Sequence, residues 1–171
     1  DITTSYIKRK KIEIERDVDE LTQIYNRNGL KIKINKLLED KNIAQYALIF
    51  IDLDDLKQVN DVYGHYCGDL YLKQMTNVLK TISGEKCLVG RLGGDEFIAF
   101  FHHYDSMEKL NNDINQLNEI RDQIVLLADD HSVNLAFSYG VCYGTEGTDL
   151  QRMIEIADYK MYENKRKRKG R

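Results

Sequence analysis

Asp52, Asp54 and Asp55 close an apolar run, YALIFIDL, that reads as a buried strand. Carboxylates at such a strand end need a compensating cation or hydrogen-bond donors, because a charge taken from water without a partner is costly. In a strand Asp52 and Asp54 project to the same side, and a hard-oxygen pair suits a divalent ion that keeps water and shares phosphate oxygens. Acids at a loop start also cap helices, so from these residues alone both readings stand.

A second acidic group lies in Arg91-Leu92-Gly93-Gly94-Asp95-Glu96-Phe97. The β-rich runs CLVGRL and EFIAFFHH flank GGD, which predicts a hairpin whose tip carries two adjacent acids. Glycine lets backbone approach a ligand closely, although any tight hairpin also uses it. In a β-α-β-β order the first strand can lie beside the hairpin strands, and both acid clusters could then face one metal.

Apolar spacing gives the elements that must position these groups. From Ile7, the positions Ile14, Val18, Leu21 and Tyr25 recur with charged residues between them, which predicts a helix with a narrow seam. Lys11 interrupts the seam and the stretch is too short to specify a coiled coil, so residues 1–18 read as a connecting helix from an upstream domain. Leu30, Ile34, Leu37 and Leu38 mark a second helix, and Leu72, Met75, Leu79 and Ile82 a third. Leu110, Ile114, Leu117, Ile120, Ile124 and Leu127 predict another, and Leu150, Met153, Ile154, Ala157 and Met161 the last. VNLAFSYGVCYG reads as a strand between these two. The order β-α-β-β-α-β predicts a ferredoxin-like α+β core, an antiparallel sheet with flanking helices, here expected on one face.

The chain has 171 residues with 25 Lys+Arg against 28 Asp+Glu, 42% hydrophobic residues, no Pro and no Trp. A domain of this length buries roughly two-thirds of its unfolded surface, and the balanced composition excludes collagen-like, mucin-like and disordered classes. Cys67, Cys87 and Cys142 are odd in number and lack a CxxC pair, so neither a disulfide framework nor a thiolate zinc site is indicated and a reducing cytoplasm is expected. No apolar run approaches the roughly 18 to 20 residues of a membrane span, and DITTSYIKRKK lacks the apolar stretch of a secretion signal. A start at Asp1 and a finish inside KRKRKGR are expected of one module from a longer polypeptide. Net charge is −3, yet the last ten residues hold six bases and one acid, leaving −8 on the remainder. The acidic body argues against general nucleic-acid binding, while a basic tail suits phosphate or plain solvation.

Five ordered stretches, DELTQIYNRNGL, DLDDLKQVNDVYGHYCGD, RLGGDEF, SYGVCYG and ADYKMYENK, closely resemble the GGDEF domain family, the diguanylate cyclases that make cyclic di-GMP from two GTP. The resemblance covers 19–171 almost to its end and implies a fold like that of nucleotidyl cyclases and polymerase palms. It also implies that Asp52, Asp95 and the Leu53 carbonyl hold Mg²⁺, with Mn²⁺ as an alternative, and that Asp95 assists deprotonation of the ribose 3′-hydroxyl. A metal lowers the pKa of a bound hydroxyl and neutralises a triphosphate, which is why such chemistry needs these acids. Asp54 and Glu96 would be further ligands or orienting groups.

By the same resemblance Lys57 stabilises charge on the transferring α-phosphate, a role often worth about 10²-fold or more. It would act at a helix start whose unpaired N–H groups attract phosphate. Asn60, His65 and Asp69 would read the base. An ionised Asp accepts from the N1–H and N2–H₂ edge of guanine, a donor pair that adenine lacks, so Asp69 argues for GTP over ATP. Leu56, in place of a frequent Phe, and Arg91 are further expected substrate contacts, and Lys165 matches a phosphate-contacting lysine.

Two departures stand out. The family's Gly-Arg-Asn ending is replaced here by Arg166-Lys167-Arg168-Lys169 before Gly170-Arg171, which leaves open which base meets the γ-phosphate. An Arg-x-x-Asp product-inhibition motif, frequent before the hairpin, corresponds here to Gly84 and Cys87, so that inhibitory site is expected not to form.

The resemblance thus implies a diguanylate cyclase that joins two GTP and releases two pyrophosphates. The symmetrical product requires two half-sites facing each other in a homodimer, under control of an upstream sensory domain. Two other readings use the same residues: a catalytically silent GTP-binding receptor or partner-docking module, and a monomeric metal-dependent nuclease or phosphohydrolase. Neither nucleic acid nor membrane is an expected partner of this segment.

Overall fold

A computed structural model describes residues 1–147 and 149–170. The elements in chain order are α1 (Ile2–Asp17), α2 (Arg27–Leu38), β1 (Gln45–Leu53), α3 (Leu56–Tyr63), α4 (His65–Ile82), β2 (Cys87–Gly93), β3 (Glu96–Tyr104), α5 (Met107–Ile120), β4 (Ile124–Leu126), β5 (Ser132–Asn134), β6 (Phe137–Tyr143) and α6 (Leu150–Lys169). Four strands form an antiparallel sheet ordered β2-β3-β1-β6, the ferredoxin-like arrangement expected of the β-α-β-β-α-β chain. β4 and β5 pair separately as a short hairpin.

The sheet is covered on both faces, which corrects the one-face expectation. Leu48 and Phe50 of β1 pack with Ile98 and Phe100 against Leu30 and Ile34 of α2 and Met153, Ala157 and Met161 of α6. On the other face Ala47, Ile49, Ile51 and Leu53 pack with Phe97 and Phe101 against α3, α4 and α5. An uninterrupted apolar strand, as opposed to an alternating one, demands cover on both sides. α6 comes unusually close at Gly140, where a Cβ would lie 2.2 Å from both the Ala157 carbonyl oxygen and the Met161 nitrogen. That missing side chain lets the far half of α6 lie along the sheet toward the carboxylates of β1.

Three sequence expectations are displaced. The first helix stops at Asp17; Val18 is extended and bridges Tyr25, so Leu21 and Tyr25 lie outside it. A turn intervenes because Asp19 accepts hydrogen bonds from the Thr22 amide and hydroxyl, and Asn26 then caps α2 by accepting from the Gly29 amide. α5 ends at Ile120 rather than running on to Leu127. The Asp122 amide donates to the Leu135 carbonyl and the Leu135 amide to the Gln123 carbonyl, so long-range pairing overrides helical spacing and sends Ile124 into β4. The same pairing divides VNLAFSYGVCYG between β5 and β6. Among the described residues, no helix is long and apolar enough to cross a membrane.

Candidate functional site

The two acidic clusters meet at one end of the sheet. Asp52 stands opposite Glu96 on β3 and opposite Ser138 on β6. Directly opposed residues share a sheet face, so these three side chains project toward α2 and α6. Beyond them the Leu53 amide donates to the Asp95 carbonyl at 3.0 Å, tying the strand end to the hairpin tip. Gly93 and Gly94 make that tip with φ of 143° and 50°, values that favour residues without a Cβ.

α6 supplies the countercharge. Lys165 Nζ lies 2.6 Å from Asp52 Oδ2 and 3.4 Å from Asp54 Oδ1. One turn further on, Arg168 Nη1 is 3.4 Å from Asp54 Oδ2 and donates to the Phe137 carbonyl, while Nη2 is 3.3 Å from Asp122. The buried Ser138 hydroxyl donates to Asp54 at 3.0 Å. Burial lifts the Asp52 carboxyl to about 6 against the hydrogen bond from Lys165, and the neighbouring Asp95 charge adds to the rise. Burial also raises Glu96, helped by Asp158 and Asp95 and opposed by Arg27. For Lys165, burial works against the charge, but Asp52 and Asp54 prevail and its pKa is raised. The site is therefore an anionic group of half-buried carboxyls whose charges repel one another and call for cations.

That chemistry fits a hard divalent ion. Asp52 and Asp95 would hold it with the Leu53 carbonyl, and Glu96 stands beside them across the register. Among the described residues no three His, Cys, Asp or Glu side chains are arranged around a common point. Two carboxylates and a carbonyl would suit an ion that keeps waters and takes its remaining oxygens from phosphate.

The other expected residues divide by location. Leu56 and Lys57 open α3 directly after the acids; Leu56 packs on the core and Lys57 is exposed. Asp55 precedes that helix without a side-chain cap bond, leaving the first amides unpaired by it. Gly64, at φ 88°, separates α3 from α4, so Asn60 in the last turn of α3 faces the first turns of α4. A Cβ on Gly68 would fall 1.7 Å from Asn60 Oδ1, which shows how closely the Asn60 amide lies on α4 beside Asp69. His65 and Asp69 are exposed, four residues apart on one side of α4.

Arg91 is engaged by the protein itself. Its Nε and Nη2 donate to the Gly94 carbonyl at 2.9 and 2.8 Å, and Nη1 sits 3.2 Å from Asp19. It braces the hairpin tip against the segment before α2, with both side chains largely buried. Arg91→Ala should therefore cost about 2 kcal/mol of stability by leaving Asp19 unpaired, measurable by urea denaturation. Loss of GTP affinity with unchanged stability would instead make it a substrate contact.

Ser138, Asp122 and Tyr71 are not legible as site residues, and Arg168 is legible only as one of the tail bases open to a phosphate. Buried Tyr71 of α4 donates to the Asn134 carbonyl and accepts from the Ala136 amide, and the Ala136 carbonyl in turn accepts from the Asp54 amide. Tyr71 thereby fixes the backbone that aims Asp54. The sequence signal for Ser138 is its place inside SYGVCYG, one of the stretches that carry the resemblance.

Fold and geometry together define a ferredoxin-like α+β domain with paired carboxylates, lysines and a helix start converging at one end of the sheet. A sequence model described as "Diguanylate cyclase, GGDEF domain" matches residues 16–171. The chain belongs to the GGDEF domain family. Diguanylate cyclase DgcN of Escherichia coli K12 is 30% identical over 151 residues, covering 88% of this chain and 37% of that protein. Diguanylate cyclase DgcP of the same strain is 33% identical over 156 residues, covering 86% of this chain and 44% of that protein. The chain thus spans less than half the length of these two relatives. The GGDEF-only structure of PA1120 (TpbB or YfiN) from Pseudomonas aeruginosa aligns with a TM-score of 0.80 at 29% identity, covering 88% of this chain and 89% of that one. The coiled coil and GGDEF domain of DgcB from Caulobacter crescentus, solved with c-di-GMP, shares the fold with a TM-score of 0.82 at 19% identity, covering 96% and 91%.

Proposed function

We propose that this domain is a diguanylate cyclase that condenses two GTP into cyclic di-GMP with release of two pyrophosphates. The observation that carries the reading is the meeting of Asp52 with the Asp95–Glu96 tip, next to Lys165 and the start of α3. Asp52, Asp95 and the Leu53 carbonyl would hold a divalent cation, Mg²⁺ or alternatively Mn²⁺. When bound, such an ion neutralises triphosphate charge and makes a ribose 3′-alkoxide accessible near neutral pH.

The chain's own groups do the rest. Asp95 takes the 3′-proton, with Glu96 orienting. Lys57 and the free amides of α3 meet the charge that develops on the α-phosphate, and Lys165 turns from the carboxylates to the phosphates. Asn60, His65 and Asp69 hold guanine, and Leu56 offers an apolar contact. Because each chain binds one GTP, two chains must face each other so that each hydroxyl reaches the partner's phosphate. Residues 1–18 serve as the connecting helix of a cytoplasmic module. The exposed Ile2, Tyr6, Ile7 and Ile14 of α1 support this, since no residue of the helix is buried in its own domain. An upstream sensory domain would set dimer geometry through it.

A rate that rises faster than linearly with protein concentration is expected with GTP and Mg²⁺; a strictly linear rate giving GMP or GDP would mark a monomeric hydrolase. Product inhibition through the Gly84–Cys87 turn should be absent, since Gly84 has no side chain and Cys87 is 2% exposed. Titration of the reaction with cyclic di-GMP checks this, and noncompetitive inhibition mapped to that turn would contradict it.

A further inference from the structure

The basic end of α6 offers several side chains to a phosphate, and their contacts sort them into two kinds. Arg166 is 69% exposed, 4.0 Å from Glu163 and over the Tyr162 ring, and Lys167 and Lys169 are exposed as well. Lys165 and Arg168, three residues apart and therefore on one side of the helix, turn inward, their side chains 22% and 31% exposed. Both reach Asp54, whose side chain is 11% exposed. Arg168 is the anchored member of the pair. Its Nη1 lies 3.4 Å from Asp54 Oδ2 and donates to the Phe137 carbonyl, and its Nη2 lies 3.3 Å from Asp122 Oδ1. A planar guanidinium can span such separate acceptors, whereas an ammonium acts as a point charge on a flexible stem. Among the described residues the partners of Lys165 are two carboxylates, Asp52 at 2.6 Å and Asp54 at 3.4 Å, so nothing ties it to the backbone.

Asp54 is engaged at both oxygens. The Ser138 hydroxyl lies 3.0 Å from Oδ2 and 3.2 Å from Oδ1, with Arg168 beside the first and Lys165 beside the second. The Asp54 amide donates to the Ala136 carbonyl, so the main chain is fixed too. A carboxylate held by this many protein donors suits an orienting role better than metal ligation. It also sets a condition on Lys165. A largely buried carboxylate stripped of its cation is costly, so Lys165 can turn to a phosphate only if another positive charge stays with Asp54. Arg168 is that charge. Without it, Lys165 would be the one cation paired with Asp54 among the described residues and would be held back from the phosphates.

We propose that Arg168 is a positioning residue for nucleotide binding: by neutralising Asp54 it frees Lys165 to meet the phosphates. The inference rests on the reading of this end of the sheet as a GTP site. The test is calorimetric binding of the α,β-methylene analogue of GTP, which cannot transfer its α-phosphate, in the presence of Mg²⁺. Arg168→Ala should weaken binding about tenfold. Lys167→Ala removes the same charge from an exposed position and should change binding by less than about twofold. The double variant Asp54→Asn/Arg168→Ala should return to within about threefold of the parent, because the carboxylate that retains Lys165 is gone. A merely structural role for Arg168 would show no such rescue, since its contacts with Phe137 and Asp122 stay broken in the double variant. If the alanine variant fails to fold, Arg168→Gln, which can still donate to the Phe137 carbonyl, carries the same expected loss and the same rescue by Asp54→Asn. Full affinity in the Arg168 variant, an equal loss in Lys167→Ala, or a double variant no tighter than the single one would overturn the proposal. A parent chain that binds no analogue would overturn the GTP reading, and the proposal with it.

Discussion

Asp52→Asn is expected to cut cyclic di-GMP synthesis at least about 10²-fold while making the protein more stable at neutral pH. The loss follows if this carboxylate holds the cation that the nucleotide needs. The gain follows from the same burial. Asp52 is raised from 3.8 to about 6 by desolvation, with the Lys165 hydrogen bond opposing and Asp95 adding to it. The folded state therefore keeps a proton that the unfolded chain releases first. The stability this group contributes is fully present below about pH 4 and is lost as pH rises through about 6. Asparagine stays neutral throughout, so the variant's advantage should grow from near zero at about pH 4 to about 1–3 kcal/mol at about pH 7. Urea denaturation at the two pH values, beside a product assay, reads both effects. A variant that is inactive but less stable at pH 7 would assign Asp52 to the fold rather than to catalysis.

The second large effect concerns the base. Asp69→Ala should lower the ratio of kcat/KM for GTP over ATP by about 10²-fold or more, because a site that recognises donors through an acceptor rejects a ligand lacking them. Asp69 is exposed on α4, beside the Gly68 position on which the Asn60 amide rests. Removing an exposed carboxylate should change stability by no more than about 0.5 kcal/mol, so a selectivity loss would not be a folding defect. Rates with each nucleotide, measured on parent and variant, give the ratio directly. An unchanged ratio would move base recognition to Asn60 and His65 or to another surface.

Local pattern carried most of the fold. YALIFIDL announced a buried central strand by lacking polar alternation, though the helices were expected on one face only, and the GGD between two β-rich runs announced the hairpin. Spacing misled where distant pairing decided the outcome. Ile124 and Leu127 continue the seam of α5 on paper, yet the Leu135 hydrogen bonds pull them into a separate hairpin. Leu21 and Tyr25 continue the seam of α1, yet the Asp19 turn folds the chain back before them.

The candidate site shows the same division. Asp52 and Asp95 are marked by the resemblance carried in DLDDLKQVNDVYGHYCGD and RLGGDEF, since acids at a strand end or hairpin tip also serve as caps and turn residues. Ser138 and Tyr71 carry no such mark, since a serine or tyrosine within an apolar run looks like core, and Arg168 is one of several tail bases that suit phosphate or solvation, with nothing local to link it to Asp54. What brings Arg168 to Asp54 is the close approach of α6 at Gly140, a contact across the sheet that no local spacing encodes.

The most direct measurement is mass-spectrometric identification of the product after concentrated protein is incubated with GTP and Mg²⁺, beside Asp95→Ala and an ATP control. A diguanylate cyclase gives cyclic di-GMP, with its linear precursor, from the parent protein and GTP alone. GTP bound but left unchanged, or converted to GMP or GDP without any dinucleotide, would contradict it.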